Sequence, residues 1–419
     1  MSSRTLETHS VIAVSGPVAP RRVRRRWVVA FALYTLATNV TFTQAVWVLY
    51  LAAKGYSPFA IGLFEMGFHL AKLAAEVPTG IFADLRGRRS SLIISCAVAA
   101  GASLLFLHPT AAVIALSFGL QGIAFAFRGG ADSALLWGLA ERSGAPDRTA
   151  WFSRLFSRML LVTIVAQTAG TAAGGFLAGI SPTLPFVCAA LAVGVGILPL
   201  LLLPEQRATA ENGQHQRPLA HLRSGLRTIA TDPVLLGLLL LSGLTASVYT
   251  TIGYFTQLYF GSLGISLAAV GVIVAAGVVP DALGAAIAPR IMGWLPRRAV
   301  LAIFVSAECL GVACLGIGSP GLALLGYLVL LHSGDAVLYP ALNTYLNERS
   351  PEAQRATVLS LDTGLFSAAM IVLFPLFGLG LTRIAYPVAY RWICAAFVAG
   401  VVAIMTAVML LRRRRVACQ

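Results

Sequence analysis

Long apolar segments alternate along this chain with short joints that are polar or basic. Each apolar segment has about 20 residues or more, the length of helix that crosses a hydrocarbon layer about 30 Å thick. The pattern predicts twelve membrane-spanning helices, numbered span 1 to span 12 in chain order, at approximately residues 27–51, 58–83, 90–108, 111–141, 153–180, 183–204, 233–260, 265–291, 298–318, 321–346, 355–381 and 385–411.

One polar interior stretch is too long to be a simple joint between two helices, and we interpret it as a linker between two sets of six spans. Near its C-terminal end, residues 221–228 are expected to form an amphipathic helix on the membrane surface. The fold class is therefore predicted to be all-α and integral to the membrane, with twelve transmembrane helices. The predicted units are a basic tail at 1–26, a six-helix bundle at 27–204, a linker at 205–232, a second six-helix bundle at 233–411 and a tail at 412–419.

The composition supports this class. Of the 419 residues, 58% are hydrophobic and 11% are charged, and the mean hydropathy is +0.82, which is too high for a water-soluble domain. A net charge of +15 would suggest nucleic-acid binding in a soluble protein, but here the arginines lie between apolar segments, so no nucleic-acid partner is expected. The six cysteines lack metal-ligand spacing and the sequence has no cofactor motif, so neither a metal nor a cofactor is predicted. A cleavable signal is not expected either.

Basic residues are distributed unevenly between the two ends of the predicted spans. The tails, the linker and the joints after even-numbered spans carry 26 arginines, whereas the other joints carry only Lys54, Arg383 and Arg391. We call these the arginine-rich end and the opposite end of the molecule. Because cytoplasmic joints are enriched in lysine and arginine, we expect a cell-membrane protein with both termini and the linker in the cytoplasm.

The joint after span 2 has a distinctive sequence, Gly80-Ile-Phe-Ala-Asp84-Leu-Arg86-Gly87-Arg88-Arg89, which we expect to be a tight loop. It resembles the signature loop of the major facilitator superfamily, G-x-x-x-D-(R/K)-x-G-(R/K)-(R/K), except that Leu85 replaces a basic residue. The resemblance implies a secondary transporter that is built from two pseudo-symmetric six-helix bundles. It also implies a gating loop made of Gly80, Asp84, Arg86, Gly87, Arg88 and Arg89.

In such a gate, Asp84 is expected to bind the N-terminal end of span 11, around residues 355–357, because a carboxylate is stabilised at a helix N-terminus. The arginines of the loop are expected to meet Glu141 or Asp147, and the two glycines to permit close packing and a tight turn. These contacts would form in one state of the gate and break in the other. The alternative is that the arginines only set the topology.

A repeated pattern supports the two bundles. Glu141-Arg142-Ser143 recurs 207 residues later as Glu348-Arg349-Ser350, each followed at the same spacing by an arginine. Duplicated bundles of this kind place a substrate site between them near the bilayer midplane.

Ionisable residues inside a span are rare, and they usually face a cavity or a partner. On span 2, Glu65, His69, Lys72 and Glu76 lie within an arc of about 60° of one helix face. At i,i+4 spacing, Glu65 can reach His69 and Lys72 can reach Glu76. They either form self-neutralising pairs that hold the packing or take part in proton coupling or substrate binding.

Span 4 carries Gln121, Arg128 and Asp132 on one face, and we expect Arg128 and Asp132 to form a buried pair. Gln121-Gly122 is similar to the end of the R-x-x-Q-G pattern of proton-coupled members of the superfamily. Phe118 stands at the arginine position, however, so the proton-transfer role of that arginine does not carry over. Arg128 is a candidate to replace it.

Spans 1, 4, 7 and 10 line the cavity in this superfamily, and each has a polar face here. The candidates on these faces are Asn39 on span 1, Tyr249 on span 7, and Asp335 and Tyr339 on span 10, where Pro340 favours a bend. We interpret His332 as a hydrogen-bonded packing residue. Asp281 is a further possible site residue, and Glu308 has no evident partner in the sequence.

On span 5, Gly170-Thr-Ala-Ala-Gly174-Gly175 resembles the exporter motif G-P-x-x-G-G, with Thr171 replacing proline. Small residues also let helices approach closely in lipid, which explains the glycines without export. The predicted function is proton-coupled export of a hydrophobic organic compound by alternating access, with a small molecule and protons as partners. The alternatives are an importer or facilitator of a small metabolite and, more remotely, an intramembrane enzyme or receptor. No catalytic motif supports the last of these.

The charge distribution gives a testable topology. Reporter fusions after Gln214 and at Gln419 should both report the cytoplasm, because both sites belong to the arginine-rich end. If the fusion in the linker reports the outside instead, the number of spans in the first bundle is wrong.

Overall fold

The structure is a computed structural model that describes residues 25–143, 145–206, 229, 231–351 and 354–417. The amphipathic helix expected at 221–228 lies outside the described residues. Within them, twelve helical spans follow one another, some divided into pieces: Arg25–Asn39 with Trp47–Ala53, Pro58–Arg86, Arg88–Leu105, Ala111–Arg128 with Ala131–Glu141, Arg148–Ile180, Leu184–Val195 with Ile197–Leu201, Pro233–Ser262, Leu267–Trp294, Arg297–Leu315, Pro320–Leu325 with Gly326–Leu331 and His332–Arg349, Arg355–Arg383, and Tyr386–Ala417.

Ten of these spans in the described part of the chain are long and apolar enough to cross a membrane. The other two are span 1, which is divided into two short helices, and span 2, whose middle carries Glu65, Lys72 and Glu76. The predicted all-α membrane fold is therefore confirmed, and the helix ends lie close to those that the apolar pattern predicted.

Several spans begin where the local sequence can cap a helix. Ser57 accepts a hydrogen bond from the amide of Ala60 at 3.2 Å, and Pro58 occupies the first turn of span 2. Asp147 accepts from the amide of Ala150 at 2.9 Å at the start of span 5. A serine or aspartate at this position satisfies amides that have no partner within the helix.

The spans contain interruptions that the apolar pattern did not predict. Span 1 is not continuous, because residues 40–46 form turns between its two helices. Span 4 breaks at Gly129 and Gly130, and Gly130 has φ +72°, which a residue with a side chain rarely adopts. Span 10 widens into π-helical geometry at Gly326–Leu331, whereas the helix continues through Pro340.

Close backbone contacts join the first six spans to the last six at the opposite end of the molecule. A methyl group on Gly62 of span 2 would lie 2.7 Å from Cα of Pro375 in span 11. A methyl group on Gly175 of span 5 would lie 2.9 Å from Cα of Gly271 in span 8. Because real Cβ atoms are not found at such distances, only glycine permits this approach, as is usual where helices associate in lipid.

Aromatic side chains fill the space between these contacts. The ring of Trp47 lies 5.4 Å from that of Phe118, 5.1 Å from that of Tyr254 and 6.5 Å from that of Phe374, measured between centroids. Offset and edge-to-face rings at such separations attract one another. The opposite end of the molecule is therefore closed by glycine contacts and an aromatic cluster.

The same spans are apart at the arginine-rich end. On the last turns of span 2, Val77 is 64% and Leu85 is 66% exposed, and no atom lies within 4 Å of where a methyl group on Gly80 would be. On span 8, Trp294 is 80% exposed. Among the described residues, the helices Arg25–Asn39, Ala131–Glu141 and His332–Arg349 also do not pack against the other half, so the space between the bundles opens toward the arginine-rich end.

Ion pairs join helix ends on the arginine-rich side of the second bundle. Arg297 Nη2 lies 2.6 Å from Glu348 Oε2, and Arg349 Nε lies 2.6 Å from Asp232 Oδ2, at the residue that caps span 7. Partial burial raises the pKa of Asp232, but hydrogen bonds from Arg349 and from the backbone amides of Leu235 and Val234 outweigh it, and the pKa falls below its usual value. The pair therefore stabilises the fold above the ordinary aspartate pKa, and this contribution is lost as the pH falls through the lowered pKa.

The glycine contacts predict which substitutions open the closed end. Gly175→Val should force spans 5 and 8 apart, at a cost of about 1–3 kcal/mol to the closed arrangement. The expected result is faster labelling of a cysteine placed at Gln44, in a background without the native cysteines, by an impermeant maleimide added at the opposite end.

Gly179→Val is the matched control, because Gly179 lies on the same span with no atom within 4 Å of its added methyl position. Equal labelling rates in the two variants, with both proteins folded, would show that the contact between Gly175 and Gly271 does not hold this end closed.

Candidate functional site

A cavity lies between the bundles, just beneath the closed end, and it has two adjoining lobes. The first lobe has a volume of about 260 Å³. We call it the aromatic lobe because its walls include Trp47, Phe68, Phe106, Phe118, Phe125, Phe186, Tyr254 and Phe366. Glu65, His69 and Lys72 of span 2 also line it, so three of the four residues on the predicted polar face of span 2 face this cavity and Glu76 does not.

The second lobe has a volume of about 280 Å³ and lies toward spans 5, 7, 8 and 10. We call it the polar lobe because its walls include Thr41, Gln44, Gln167, Thr171, Thr250, Gln257, Tyr249, Asp281 and His332. Gln44, Thr250 and Tyr254 line both lobes, so the two spaces meet at these side chains.

The structure brings Glu65 and His69 together as the sequence predicted. Glu65 Oε1 lies 3.6 Å from His69 Nε2, and both side chains are buried. Lys72 has a different partner from the expected one: its Nζ donates a hydrogen bond to Ser367 Oγ of span 11 at 3.2 Å, whereas Glu76 is exposed. The Lys72 Nζ also lies 4.9 Å from the centroid of the Phe125 ring, a position in which the ring attracts the cation.

A second carboxylate–histidine contact lies in the wall of the polar lobe. His332 Nδ1 is 3.0 Å from both carboxylate oxygens of Asp281, and Tyr249 OH donates to Asp281 Oδ2 at 3.2 Å and lies 2.9 Å from His332 Nδ1. The three side chains come from spans 8, 10 and 7. Our interpretation of His332 as a packing residue was incomplete, because this histidine is bonded to an acidic group at the cavity.

Arg128 and Asp132 form the expected pair across the break in span 4, with 3.6 Å between Arg128 Nε and Asp132 Oδ2. The pair is not buried as we expected, since each side chain is about one-third exposed. Arg128 Nη2 also donates to Asn39 Oδ1 of span 1 at 3.1 Å. All three residues line a smaller cavity of about 120 Å³, separate from the two lobes.

Three further ionisable residues, on spans 9 and 10, have no side-chain hydrogen bond with the described residues. Asp335 is half-buried, with no hydrogen bond or ion pair to the residues that the structure describes, and Tyr339 is 58% exposed. Glu308 is fully buried on span 9, and within the described ranges neither of its carboxyl oxygens has a hydrogen-bond partner. A methyl group on Gly334 would lie 2.7 Å from Glu308 Cγ, so this glycine makes room for the side chain.

The gating loop is not the loop that its polarity suggested. Asp84 and Arg86 lie within the helix of span 2, Arg88 begins span 3, and Gly87 alone connects the two helices. Gly87 has φ +111°, and the Glu205 carboxyl group occupies the space that a Cβ would need. Two features therefore require glycine at position 87: its positive φ, and the Glu205 carboxyl group that leaves no room for a Cβ.

Arg89 binds the residues that follow span 6 and Arg88 binds span 4, and neither pairs with Glu141 or Asp147. Glu205 Oε1 accepts a hydrogen bond from the Arg89 amide at 2.9 Å, and Glu205 Oε2 accepts from Ser90 Oγ at 2.6 Å and lies 3.4 Å from Arg89 Nε. Arg88 donates to the carbonyl of Ala134 at 3.0 Å. The carboxylate of Glu205 thus sits at the N-terminus of span 3, where a negative charge is stabilised.

Sequence reasoning missed Glu205 because it seemed to be the first residue of the linker. The residues with which we expected these arginines to pair are engaged elsewhere: Glu141 accepts from Trp137 Nε1 at 3.1 Å, and Asp147 caps span 5. Asp84 is exposed and has no hydrogen bond or ion pair with the described residues, so it does not bind span 11 in this conformation.

The glycines of span 5 have a structural role that is visible here. A methyl group on Gly170 would lie 2.6 Å from the amide nitrogen of Thr41, and one on Gly174 would collide with the carbonyl of Phe42. These two glycines therefore pack against the turns at residues 40–46 of span 1, while Gly175 contacts span 8. Helix packing therefore accounts for all three positions of the motif.

The chain is similar to known proteins over most of its length. A sequence model of the Major Facilitator Superfamily matches residues 27–294 and 258–417. The chain belongs to the major facilitator superfamily. It is a multi-pass membrane protein of a family of secondary transporters, which is also the class that the signature sequence implied.

Individual relatives are distant. An uncharacterised MFS-type transporter, YxaM of Bacillus subtilis, is 24% identical over 358 residues, which cover 80% of this chain and 84% of that protein. The crystal structure of the nucleoside transporter NupG is similar with a TM-score of 0.72 at 13% identity, covering 92% of this chain and 98% of that one. A D-xylose–proton symporter gives a TM-score of 0.71 at 16% identity, covering 91% and 96%. At these identities the solved structures show that the fold is shared.

Proposed function

We propose that this protein exports a hydrophobic organic compound in exchange for protons, by alternating access of the central cavity. The observation that carries the proposal is the presence of two carboxylate–histidine contacts, Glu65–His69 and Asp281–His332, in the walls of adjoining lobes. One contact belongs to each half of the chain. Ionisable side chains within spans are expensive, and they mark proton and substrate pathways in membrane transporters.

Each contact contains a histidine and a carboxylate, and both kinds of side chain can bind a proton. Histidine changes its charge near neutral pH, and the affinity of a histidine–carboxylate pair for protons depends on its access to water and on nearby charges. Water access to the lobes differs between a conformation that is open at the arginine-rich end and one that is open at the opposite end. A difference of this kind allows proton binding to shift the equilibrium between the two conformations.

Exchange follows if the proton and the substrate bind to the same groups. Glu65 and Asp281 face the space that a substrate would occupy, so a compound that donates a hydrogen bond to either carboxylate competes with a proton there. Competition at one site couples outward movement of the compound to inward movement of protons. The apolar walls of the aromatic lobe favour a hydrophobic compound. An importer or facilitator of a small metabolite would use the same cavity without this competition.

The proton-coupling proposal can be tested in inverted membrane vesicles that contain a pH-sensitive dye. A compound chosen from a growth-inhibition panel, run with and without expression of the protein, should partly dissipate the acidification of the vesicles. Glu65→Gln and Asp281→Asn should each reduce this response by about tenfold or more, because a group that exchanges protons has been neutralised.

Glu76→Gln is the matched control for the two neutralised variants, since Glu76 lies on the same span as Glu65 but is exposed. Binding of the compound should remain measurable in all three variants. Unchanged transport after collapse of the proton gradient would instead identify a facilitator, or a transporter that another ion drives.

The gating role of the signature sequence is also part of the proposal. Asp84 is exposed in the conformation that is open at the arginine-rich end, and we propose that it binds the N-terminal end of span 11 when this end closes. Glu205, by contrast, holds Arg89 and Ser90 in the open conformation. Removal of the Asp84 carboxylate is therefore expected to affect transport, and removal of the Glu205 carboxylate is expected to affect stability.

Asp84→Asn should leave the thermal stability of the purified protein within about 0.5 kcal/mol of the original, yet sharply reduce transport. Glu205→Gln should lower the free energy of unfolding by about 1–3 kcal/mol, because charge-assisted hydrogen bonds are lost. Thermal unfolding and vesicle transport, measured on the same preparations, distinguish the two. Full transport by the Asp84→Asn protein would leave the joint with only a topological role.

A further inference from the structure

The two lobes of the cavity differ in chemistry. In the aromatic lobe, half of the lining residues are Phe, Trp or Tyr, among them Trp47, Phe68 and Phe366, and Glu65, His69 and Lys72 also line it. In the polar lobe, neutral side chains that form hydrogen bonds predominate, among them Gln44, Gln167, Thr171, Thr250 and Gln257. A single small apolar compound would leave the groups of the polar lobe unused.

The lobes are divided by a weak contact. Gln44 Nε2 lies 3.5 Å from Tyr254 OH, at the limit of hydrogen-bonding distance, and both residues line both lobes. A ligand that extends from one lobe to the other would displace this contact at little cost. The two volumes of about 260 and 280 Å³ would then form one continuous site.

The polar lobe retains unused hydrogen-bonding capacity. Gln257 Nε2 donates to the carbonyl of Gln44 at 2.9 Å, but its buried Oε1 has no partner in the part of the chain that the structure describes. The side chain of Gln167 is half-buried and likewise forms no hydrogen bond with the described residues. A ligand with hydroxyl groups could bond to both of these amide side chains.

The charges that line the polar lobe indicate whether the part of a ligand that binds there, which we call its head group, is ionised or neutral. Its acidic residue, Asp281, already contacts His332 and Tyr249, and no lysine or arginine lines this lobe among the described residues. An anionic head group would find no counter-charge in this lobe, and a cationic one would have to displace His332 from Asp281, so both are unfavourable at membrane depth. A neutral head group with several hydroxyls matches the glutamines and threonines.

We propose that the substrate is an amphiphile that spans both lobes, with an aromatic ring system in the aromatic lobe and a neutral, polyhydroxylated head in the polar lobe, as in an aryl glycoside. This inference rests on the proposed transport function and replaces its hydrophobic compound by an amphiphile, of which only the aromatic part is hydrophobic. The aromatic part stacks on the rings that line its lobe, and the hydroxyls bond to Gln167 and Gln257.

The test is equilibrium binding to the purified full chain in detergent, without any ion gradient. The probes are 4-methylumbelliferyl β-glucoside, its aglycone 4-methylumbelliferone, and methyl β-glucoside, with binding measured by titration calorimetry. We expect the aryl glucoside to bind at least about tenfold more tightly than either fragment, because it alone contacts both lobes.

Two variants separate the contributions of the lobes. Gln167→Leu should weaken binding of the aryl glucoside by about 2- to 13-fold, the loss of one hydrogen bond, and leave the affinity for the aglycone unchanged. Phe68→Leu should weaken binding of both aromatic probes. Asn347→Leu is the control for loss of an amide, since Asn347 bonds to Asn343 and lines neither lobe, and it should leave the affinity for all three probes unchanged.

Equal affinity of the folded protein for the glucoside and the aglycone would overturn the proposal, as would the absence of binding by all three probes. An equal effect of Gln167→Leu on the glucoside and the aglycone would also overturn it. Because no gradient is present, these results are independent of proton coupling. An aryl glucoside that binds as expected but moves no protons in vesicles contradicts the proposed antiport and leaves the substrate class standing.

Discussion

The structure depends on close contact between helix backbones, at points where at least one of the two residues in contact is glycine. Helices in lipid gain little from the hydrophobic effect when they associate, so their packing relies on small residues and on van der Waals contact. Gly62 against Pro375 and Gly175 against Gly271 bring the first six spans to the last six at one end of the molecule. The two lobes lie directly beneath these contacts, and their depth and shape follow from them.

The polar groups of the interior are arranged so that most charges have a partner. Glu65 contacts His69, Asp281 contacts His332, and Lys72 bonds to Ser367 across the interface between the two halves. Such pairs are costly to break in a low-dielectric environment, yet they add little stability in themselves. Stability alone therefore does not account for their positions in the walls of the cavity.

The sequence was sufficient to predict the helices, since apolar segments of membrane length are unambiguous. It also predicted the Glu65–His69 and Arg128–Asp132 contacts, because these are local at i,i+4 spacing. The interruption of span 1 at residues 40–46 could not be predicted, since it depends on Gly170 and Gly174 of another helix. Partners across spans, such as those of Asp281 and Arg89, were missed for the same reason.

Both ends of the segment between residues 206 and 231 are fastened to helices of different halves. Before it, Gln206 donates to the carbonyl of Leu135 at 3.1 Å and Glu205 binds Arg89; after it, Asp232 is held by Arg349. A displacement of the chain at either of these contacts would therefore act on spans 3 and 4 in the first half or on span 10 in the second. Force applied to this segment would therefore act on both halves of the molecule at once.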